Sequence, residues 1–368
     1  MFTPHTDADR EAMLKTIGVS SIDALFENLP GCEPESSLNL PTPTTEMEAL
    51  AEISFIASAN ESTKELSSFL GAGAYHHYIP AAVDSILRRG EFYTAYTPYQ
   101  PEISQGTLQA VFEYQSLMAS LTGMDVSNAS HYDGATAVAE AVNMAFHNFR
   151  GRRGKIVLSP ALHPHYRETV HTYSQGTDLQ ILGEDLSPYS TPEDLISLID
   201  SDTALVVVQY PDFFGRIYDF NALAAAAHAE KAMFAIHINP MALGILTPPG
   251  EMGADIVTGE GQPLGIPLSF GGPYLGIFTT RQKFVRKMAG RIVGETVDSR
   301  GQRGYVLTLS TREQHIRREK ATSNICTNQG LMVLASTVYL SLLGKQGLAQ
   351  VAYLNYQKAH YAAQKINA

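Results

Sequence analysis

The sequence predicts an α/β fold in which a mainly parallel β-sheet is covered by helices on both faces. From about residue 105 onward, short apolar segments alternate with segments of helical periodicity. Short, almost wholly apolar strands are typical of a parallel sheet that is buried on both faces. Hydrophobic residues make up 44% of the 368 residues, which is enough for a large core.

The predicted elements follow one another in a regular order. Two helices, Thr107–Thr122 and Asp133–Phe149, come first. The segments after them are strand Lys155–Leu158, helix Pro164–Ser174, strand Leu179–Leu182, helix Pro192–Ile199, strand Ala204–Gln209, helix Phe220–Lys231, and strands Phe234–Ile238, Ile256–Val257 and Gly276–Thr279. Ligands on such sheets bind at the carboxyl ends of the strands, so we expect a site there.

Three regions are predicted along the chain: an N-terminal helical arm (1–70), a large α/β domain (71–330) and the start of a C-terminal small domain (331–368). The arm has helical patterns at Asp7–Ile17, Ser21–Phe26 and Thr45–Ser58, with a break at Pro34–Thr45 that is rich in Pro, Ser and Thr. The last region continues an apolar helix, Ile325–Leu343, into a second helical pattern, Leu348–Ile366. Since the sequence stops there, we expect an incomplete small domain.

Composition excludes several classes of protein. The net charge of -11 argues against nonspecific binding of nucleic acid. A mean hydropathy of -0.08 and the lack of an uninterrupted apolar span argue against a membrane protein. The first ten residues do not have the pattern of a signal peptide. Cys32 and Cys326 are far apart and form no CxxC, which indicates a reducing, cytoplasmic location.

Charge is unevenly distributed along the chain. Residues 281–320 hold 11 of the 26 basic residues and only four acidic ones, whereas residues 1–70 hold 12 acidic and three basic residues. A basic segment in an acidic protein indicates an anionic small molecule or an acidic protein surface as its partner. For residues 281–291 the alternative is a helix that merely exposes a charged face.

One segment, residues 311–327, combines this positive charge with a predicted helix start. It contains Arg312, Arg317, Arg318 and Lys320, followed by Thr322, Ser323 and Asn324 and then by an apolar helical run. Thr, Ser and Asn cap helix N-termini, and a capped N-terminus attracts phosphate or carboxylate groups. The segment therefore predicts an anion site. The alternative is an ion-pair network at an interface.

A second segment, residues 96–106, is dense in polar and aromatic side chains and stiffened by two prolines. Its candidate site residues are Tyr96, Thr97, Tyr99, Gln100, Glu102, Ser104 and Gln105. A rigid loop that leads into a helix is suited to forming the wall of a site. The alternative is an ordinary stiff connection.

Other motifs are weaker. The glycine-rich stretch 71–78 is not GxGxxG and follows no predicted strand, so it does not indicate dinucleotide binding. The pairs His76-His77 and His163-His165 have no Cys or carboxylate at ligand spacing, and we predict no metal site. GxSxG is absent, which argues against a serine hydrolase. Small residues at 128–137 open the Asp133 helix and would let a phosphate approach the backbone.

Four motifs together resemble one family, the glycine cleavage system P-protein. They are YTPYQPEISQGTLQ (96–109), NASHYDGATAVAEA (128–141), SFGGPYLGIF (269–278) and TREQHIRREKATSNICT (311–327). The resemblance extends over essentially the whole chain and is to the N-terminal half of that protein, which in many bacteria is a separate first subunit. It implies the aspartate-aminotransferase-like fold of pyridoxal 5'-phosphate (PLP) enzymes, fold type I. It also implies a reaction, in which glycine is decarboxylated and its aminomethyl group passes to the lipoyl arm of the H-protein.

A PLP enzyme of this fold needs a lysine for the Schiff base and an aspartate beside the pyridinium nitrogen. The turn expected to carry the lysine, residues 258–263, has Gln262 instead, and the strand expected to end in aspartate offers His237 and Asn239. The resemblance therefore implies a first subunit without a catalytic residue of its own. The PLP lysine would belong to a second P-protein subunit, and the expected assembly is an α2β2 heterotetramer.

On this interpretation the chain completes its partner's active site. The loop from Tyr96 to Gln105 would shape the glycine end of the pocket. Thr322, Ser323 and Asn324 would reach the phosphate of PLP, with Arg312, Arg317 and Arg318 nearby. Two alternatives stay open: a self-sufficient PLP enzyme that uses another lysine, such as Lys155 or Lys231, and a noncatalytic module that docks the lipoyl carrier through residues 281–320.

Overall fold

The computed structural model describes residues 4–29, 39–63 and 65–367. Cys32 and part of the predicted Pro34–Thr45 break lie outside these ranges. The chain divides into two compact units, Met1–Phe69 and Leu70–Ala368. The predicted domain boundaries at residues 70 and 330 stay predictions.

Helices and strands alternate through most of the chain. The described residues form eleven α-helices: α1 (Asp7–Ile17), α2 (Glu46–Ala57), α3 (Ala81–Leu87), α4 (Gly90–Tyr93), α5 (Gln105–Thr122), α6 (Gly134–Asn148), α7 (Pro164–Ser174), α8 (Pro192–Ile196), α9 (Asn221–Ala229), α10 (Gln314–Arg317) and α11 (Gly330–Ile366). The strands of the same ranges are β1 (Val126–Ser127), β2 (Lys155–Leu158), β3 (Gln180–Leu182), β4 (Thr203–Tyr210), β5 (Met233–Ile238), β6 (Ile256–Glu260), β7 (Gly276–Thr280), β8 (Ile292–Val297) and β9 (Arg303–Thr308).

In the first unit, α1 and α2 begin with the same local device. Thr6 and Thr45 each accept a hydrogen bond from the backbone N–H three residues later, and the acidic side chain at that position binds the backbone N–H of the threonine. These reciprocal capping boxes satisfy donors that a helix start leaves free. They explain why the two helices form where the sequence pattern predicts them.

The second unit is built on a sheet with strand order β1-β7-β6-β5-β4-β2-β3 among the described residues. The strands β3, β2, β4, β5 and β6 are parallel, and β7 and β1 are antiparallel to their neighbours. The predicted fold class, a mainly parallel sheet covered on both faces, is confirmed. Strands β8 and β9 form a separate antiparallel hairpin that the sequence pattern did not indicate.

Alternate residues of each central strand serve the two faces of the sheet. Leu205 and Val207 of β4 pack in the cluster that contains α6 and α7, whereas Val206 and Val208 pack in the cluster that contains α9. This follows from the two-residue period of a strand. Since both faces are covered, β4 is apolar at nearly every position, which is the signal that the sequence analysis used.

The longest helix, α11, corrects one prediction. It begins at Gly330 and not at Ile325, and it is interrupted at Gly344 (φ 59°, ψ -174°), which separates the two predicted helical patterns. By length and composition alone α11 could cross a membrane. Its first half nevertheless packs in the core beside α5, where Val333, Ala335 and Tyr339 are buried, as in the core helix of a globular domain.

Candidate functional site

The carboxyl ends of β4, β5 and β6 open onto a cavity of ≈ 470 Å³. Gln209, His237 and Glu260 line it from these three strands in turn. Histidine and tyrosine side chains of residues 75–77 and 163–166 form another part of the wall, and residues 211–215 and the second half of α11 also line the cavity. The site thus lies at the edge of the sheet where the fold class predicts it.

The end of β5 carries no fixed negative charge. His237 is buried, its Nδ1 lies 3.0 Å from Thr258 Oγ1, and burial lowers the pKa of its ring to about 3, so the ring is neutral. The Oδ1 of Asn239 accepts from the backbone N–H of Met241 at 3.1 Å. Two neutral side chains therefore line the cavity where a PLP enzyme of this fold needs an aspartate.

Gln262, at the expected Schiff-base lysine position, is turned into the protein. It is 1% exposed, and its Nε2 donates to the carbonyl of Ile266 at 2.7 Å. Its backbone N–H donates to Glu260 Oε1 at 2.8 Å. The turn after β6 therefore presents a buried amide, and an amide cannot form an imine with an aldehyde.

The two lysines named as alternatives lie far from this cavity. Lys155 begins β2 and binds Asp200 at 2.6 Å, and Lys231 precedes β5. Both stand at the amino ends of parallel strands, the edge opposite the cavity. By contrast Lys358 of α11 does line the cavity. No pattern in the sequence places Lys358 at this cavity, because α11 returns to the sheet only in the folded chain.

Glu260 binds the N-terminus of α6 from the end of β6. Its Oε2 accepts from the backbone N–H of Gly134 at 2.9 Å, and its Oε1 accepts from those of Gln262 and Leu275 at 2.8 and 3.2 Å. Burial raises the pKa of Glu260 to about 7 despite these three bonds. No motif in the sequence singled out this residue.

A second cavity, of ≈ 220 Å³, lies beside the predicted wall loop. Tyr96 and Thr97 line it together with Arg291, Thr327 and Asn328. The structure thus brings the 96–106 loop next to the end of the 311–327 segment, although they are some 200 residues apart in the sequence. Both segments were predicted from the sequence to contribute to one site.

Arg291 holds these two segments together. Its Nη2 donates to Tyr99 Oη at 3.0 Å and to the carbonyl of Cys326 at 2.6 Å, and its Nη1 donates to Asn328 Oδ1 at 3.2 Å. The side chain is almost fully buried and also lies 3.7 Å from Glu313. A planar guanidinium can bridge several acceptors at once. The basic composition of 281–320 gave no sign that this arginine differs from the others.

The rest of the wall loop divides into anchors and exposed residues. Gln105 donates to the carbonyl of Tyr305 and accepts from its N–H, both at 2.9 Å, which ties the loop to β9. Ser104 is half-buried at the start of α5. Tyr96, Gln100 and Glu102 are exposed. Together with exposed Ile103, they are free to meet another molecule.

The predicted helix cap at Thr322, Ser323 and Asn324 is wrong. Helix α11 begins later, with Gln329 at its N-cap. Ser323 instead donates to Glu140 Oε1 at 2.8 Å and accepts from the backbone N–H of Ile325 at 3.0 Å, a local turn that serine favours as readily as a cap. Within the described residues, Thr322 and Asn324 have no side-chain hydrogen bond.

The three arginines of the predicted anion site are placed differently. Arg312 donates to the carbonyls of Met288, Gly290 and Leu309, and burial lowers the pKa of its guanidinium. Its donors are used within the fold. Arg317 and Arg318 are exposed. No group of three or more His, Cys, Asp or Glu residues in the described ranges could hold a metal ion.

Comparison with known proteins decides the family. The family model described as "Glycine cleavage system P-protein" matches residues 1–368. The chain belongs to the glycine cleavage system P-protein family. The resemblance of the four motifs to this family is thereby confirmed.

Named relatives in this family share half or more of the sequence. The "Probable glycine dehydrogenase (decarboxylating) subunit 1" of Thermomicrobium roseum is 55% identical over 368 residues, covering 100% of this chain and 82% of the relative. The protein of the same name from Desulforamulus reducens is 54% identical over 372 residues, covering 100% and 82%.

Solved structures agree on the fold. A glycine decarboxylase (P-protein) of the glycine cleavage system, solved in inhibitor-bound form, superposes with a TM-score of 0.88 at 43% identity, covering 95% of this chain and 78% of the other. A sphingosine-1-phosphate lyase from Burkholderia pseudomallei superposes at 0.59 with 14% identity, covering 86% and 73%. The second likeness shows the fold alone, the PLP-dependent fold type I.

PLP does not fit the cavity of this P-protein chain. The turn after β6 offers Gln262 in place of a lysine, the end of β5 offers no carboxylate, and the N-terminus of α6 is already bound by Glu260. We therefore assign no step of PLP chemistry to this cavity.

Proposed function

We propose that this chain is the first, lysine-less subunit of a glycine dehydrogenase (decarboxylating), and that it completes the PLP site of a second subunit. The observation that carries the proposal is the buried Gln262 at the turn where a Schiff-base lysine is required. The relatives named subunit 1 support it, because that name implies a second subunit.

In the proposed reaction glycine is decarboxylated and its aminomethyl group passes to the lipoyl arm of the H-protein. PLP, held covalently by the second subunit, supplies the electron sink for this chemistry. The part of this chain is to close the pocket. Exposed Tyr96, Gln100 and Glu102 would form its wall at the glycine end, where exclusion of water favours loss of CO₂.

Near the phosphate of PLP, the free amide of Asn324 and the exposed charges of Arg317 and Arg318 are the available donors. Ser323, whose hydroxyl is bound to Glu140, would position Asn324. Arg312, whose donors bind backbone carbonyls, would support the segment from inside. Thr322 keeps a free hydroxyl and belongs to the same surface.

The proposed assembly is an α2β2 heterotetramer, since enzymes of this fold are built on two-fold symmetry. We place it in the cytoplasm and propose neither a membrane nor a nucleic acid as its partner.

Reconstitution tests the proposal. This chain and the lysine-carrying subunit are purified separately and together, and exchange of labelled bicarbonate into glycine is measured with lipoylated H-protein. We expect exchange only from the mixture.

Tyr96→Ala should lower that exchange at least about tenfold, which is the scale of a lost positioning contact. Tyr189→Ala, at another exposed tyrosine, is the matched control and should leave the exchange unchanged. Full exchange by the lysine-carrying subunit alone would overturn the proposal.

The alternative of a self-sufficient PLP enzyme would depend on Lys358, the one lysine among the described residues that line the cavity. Borohydride reduction of this chain with PLP, followed by peptide mapping, decides between it and the proposed function. The proposed function predicts no adduct at Lys358. An adduct there that disappears in Lys358→Ala, with glycine turnover by this chain alone, would establish the alternative.

A further inference from the structure

A buried carboxylate fills the N-terminus of α6, the helix that starts at the edge of the cavity. Glu260 is 7% exposed and receives three backbone N–H groups, from Gly134, Gln262 and Leu275. Backbone donors at a helix start, backed by the helix dipole, are what phosphate groups bind in nucleotide and coenzyme sites. Here an anion of the chain itself, Glu260, receives the first donor of the helix, the N–H of Gly134, and two further N–H groups from neighbouring segments.

The packing leaves no room for a second anion at this point. A Cβ on Gly134 would lie 2.9 Å from the Cβ of Glu260 and 3.1 Å from Cε1 of His237. The position is therefore restricted to glycine, and the first turn of α6 rests directly on the Glu260 side chain. A phosphate, which is bulkier than a methyl group, could enter only if Glu260 moved away.

The charges around this point also disfavour an incoming phosphate. Asp133, the N-cap of α6, accepts from the backbone N–H of Thr136 at 2.7 Å and adds a second carboxylate at the same helix end. Among the described residues that line the cavity, Lys358 is the one lysine or arginine, and the buried ring of His237 is neutral.

We infer that the Glu260 carboxylate takes the place of a coenzyme phosphate in this chain's own cavity, and that it excludes phosphorylated ligands from the α6 N-terminus. The exclusion is independent of the missing lysine, because it acts on noncovalent binding. It deepens the proposed function, on which it rests for the choice of coenzyme: the first subunit would be unable to compete with the second for PLP.

Pyridoxamine 5'-phosphate is the appropriate probe, since it carries the phosphate but cannot form an imine with Lys358. Its binding to the full chain is measured by calorimetry at pH 8. The wild type should show no saturable binding at about 1 mM. Glu260→Ala should bind it at least about tenfold more tightly than that limit, and pyridoxamine, without the phosphate, should bind to neither.

Glu140→Ala is the matched control, because Glu140 is also a buried carboxylate and belongs to α6 itself, six residues beyond the Gly134 that begins the helix. It should gain no affinity. A folded Glu260→Ala protein that binds no more tightly than the wild type would overturn the inference. The wild-type titration needs no variant to fold: one-to-one binding that depends on the phosphate would overturn it by itself. These measurements involve no turnover, so their failure is distinct from failure of the reconstituted exchange.

Discussion

Arg291 contributes to stability more than any exposed arginine of the basic segment can. It is buried with Glu313 and joins Tyr99 to the backbone of Cys326. Removing one member of a buried charged pair costs on the order of 3 kcal/mol. We therefore expect Arg291→Met to lower the free energy of unfolding by about that amount in urea titrations.

Two further variants test whether the loss comes from the bridging guanidinium of Arg291. Arg291→Lys keeps the charge but not the planar fork, so it should recover only part of the loss. Arg286→Ala, at an exposed arginine of the same segment, should stay within about 0.5 kcal/mol of the wild type. Equal effects of Arg291→Met and Arg286→Ala would contradict the bridging role.

Glu140 makes stability depend on pH. Burial raises its pKa from 4.5 to about 7, with the Ser323 hydrogen bond opposing the shift, so the folded protein binds this proton more tightly than the unfolded chain. Its contribution is therefore fully present below about pH 4.5 and is lost as the pH rises through 7. Glu140→Gln should be more stable than the wild type at pH 8, by on the order of 3 kcal/mol.

The measurement is the difference in unfolding free energy between Glu140→Gln and the wild type from pH 4.5 to 8. The difference between the two proteins isolates this group from the buried histidines, whose lowered pKa values act in the opposite direction. Glu113→Gln, on the exposed face of α5, should give a flat difference. A flat difference for Glu140→Gln as well would mean that its carboxylate is hydrated in the folded protein.

Among the elements, Gly344 sets the direction of the last helix. Its φ of 59° with ψ of -174° lies in a region that side chains with a Cβ rarely adopt, although no atom lies within 4 Å of where a Cβ would stand. Gly344→Ala should therefore destabilise by about 1–3 kcal/mol through backbone strain alone. Gly330→Ala, at the start of the same helix and free of positive φ, is the control, and denaturant unfolding is the measurement. An equal loss in both would exclude the strain.

The sequence predicted most elements of the sheet because burial on both faces leaves an apolar run. Strand β2 has the predicted bounds, β4 is longer by one residue at each end, and β5 begins one residue earlier. It did not predict β8 and β9, since the hairpin has an exposed side where Glu295 and Arg303 interrupt the apolar pattern. The helix start near Asn324 was misplaced because Ser323 binds Glu140 from another element. The local sequence looks the same whether Ser323 caps a helix or forms a turn, so it could not distinguish the two.

At the scale of the whole molecule, only part of the site could be found in the sequence. Gln262 was identified because the family resemblance implies a lysine at its turn. Glu260, Arg291 and Lys358 were missed, because each acquires its partners through contacts between distant segments: with α6, with the wall loop and with the sheet edge. Local sequence patterns carry no signal for such contacts. The charge of residues 281–320 is visible in the sequence, but it does not distinguish buried arginines from exposed ones.

The surface formed by Arg317, Arg318 and Asn324 admits three roles, which separate only in the complete assembly. As a phosphate contact, Asn324→Ala should speed the loss of PLP from the two-subunit complex, measured by its absorbance after gel filtration, while subunit association by sedimentation stays unchanged. Asn221→Ala, at another exposed asparagine, is the control. As an interface ion-pair network, Arg317→Glu with Arg318→Glu should break association. As a docking site for the acidic lipoyl carrier, the same pair should weaken H-protein binding in a salt-dependent way and leave association intact. We expect the first result for Asn324, because its amide has no hydrogen bond within the described residues, and PLP retention equal to that of the wild type would contradict it.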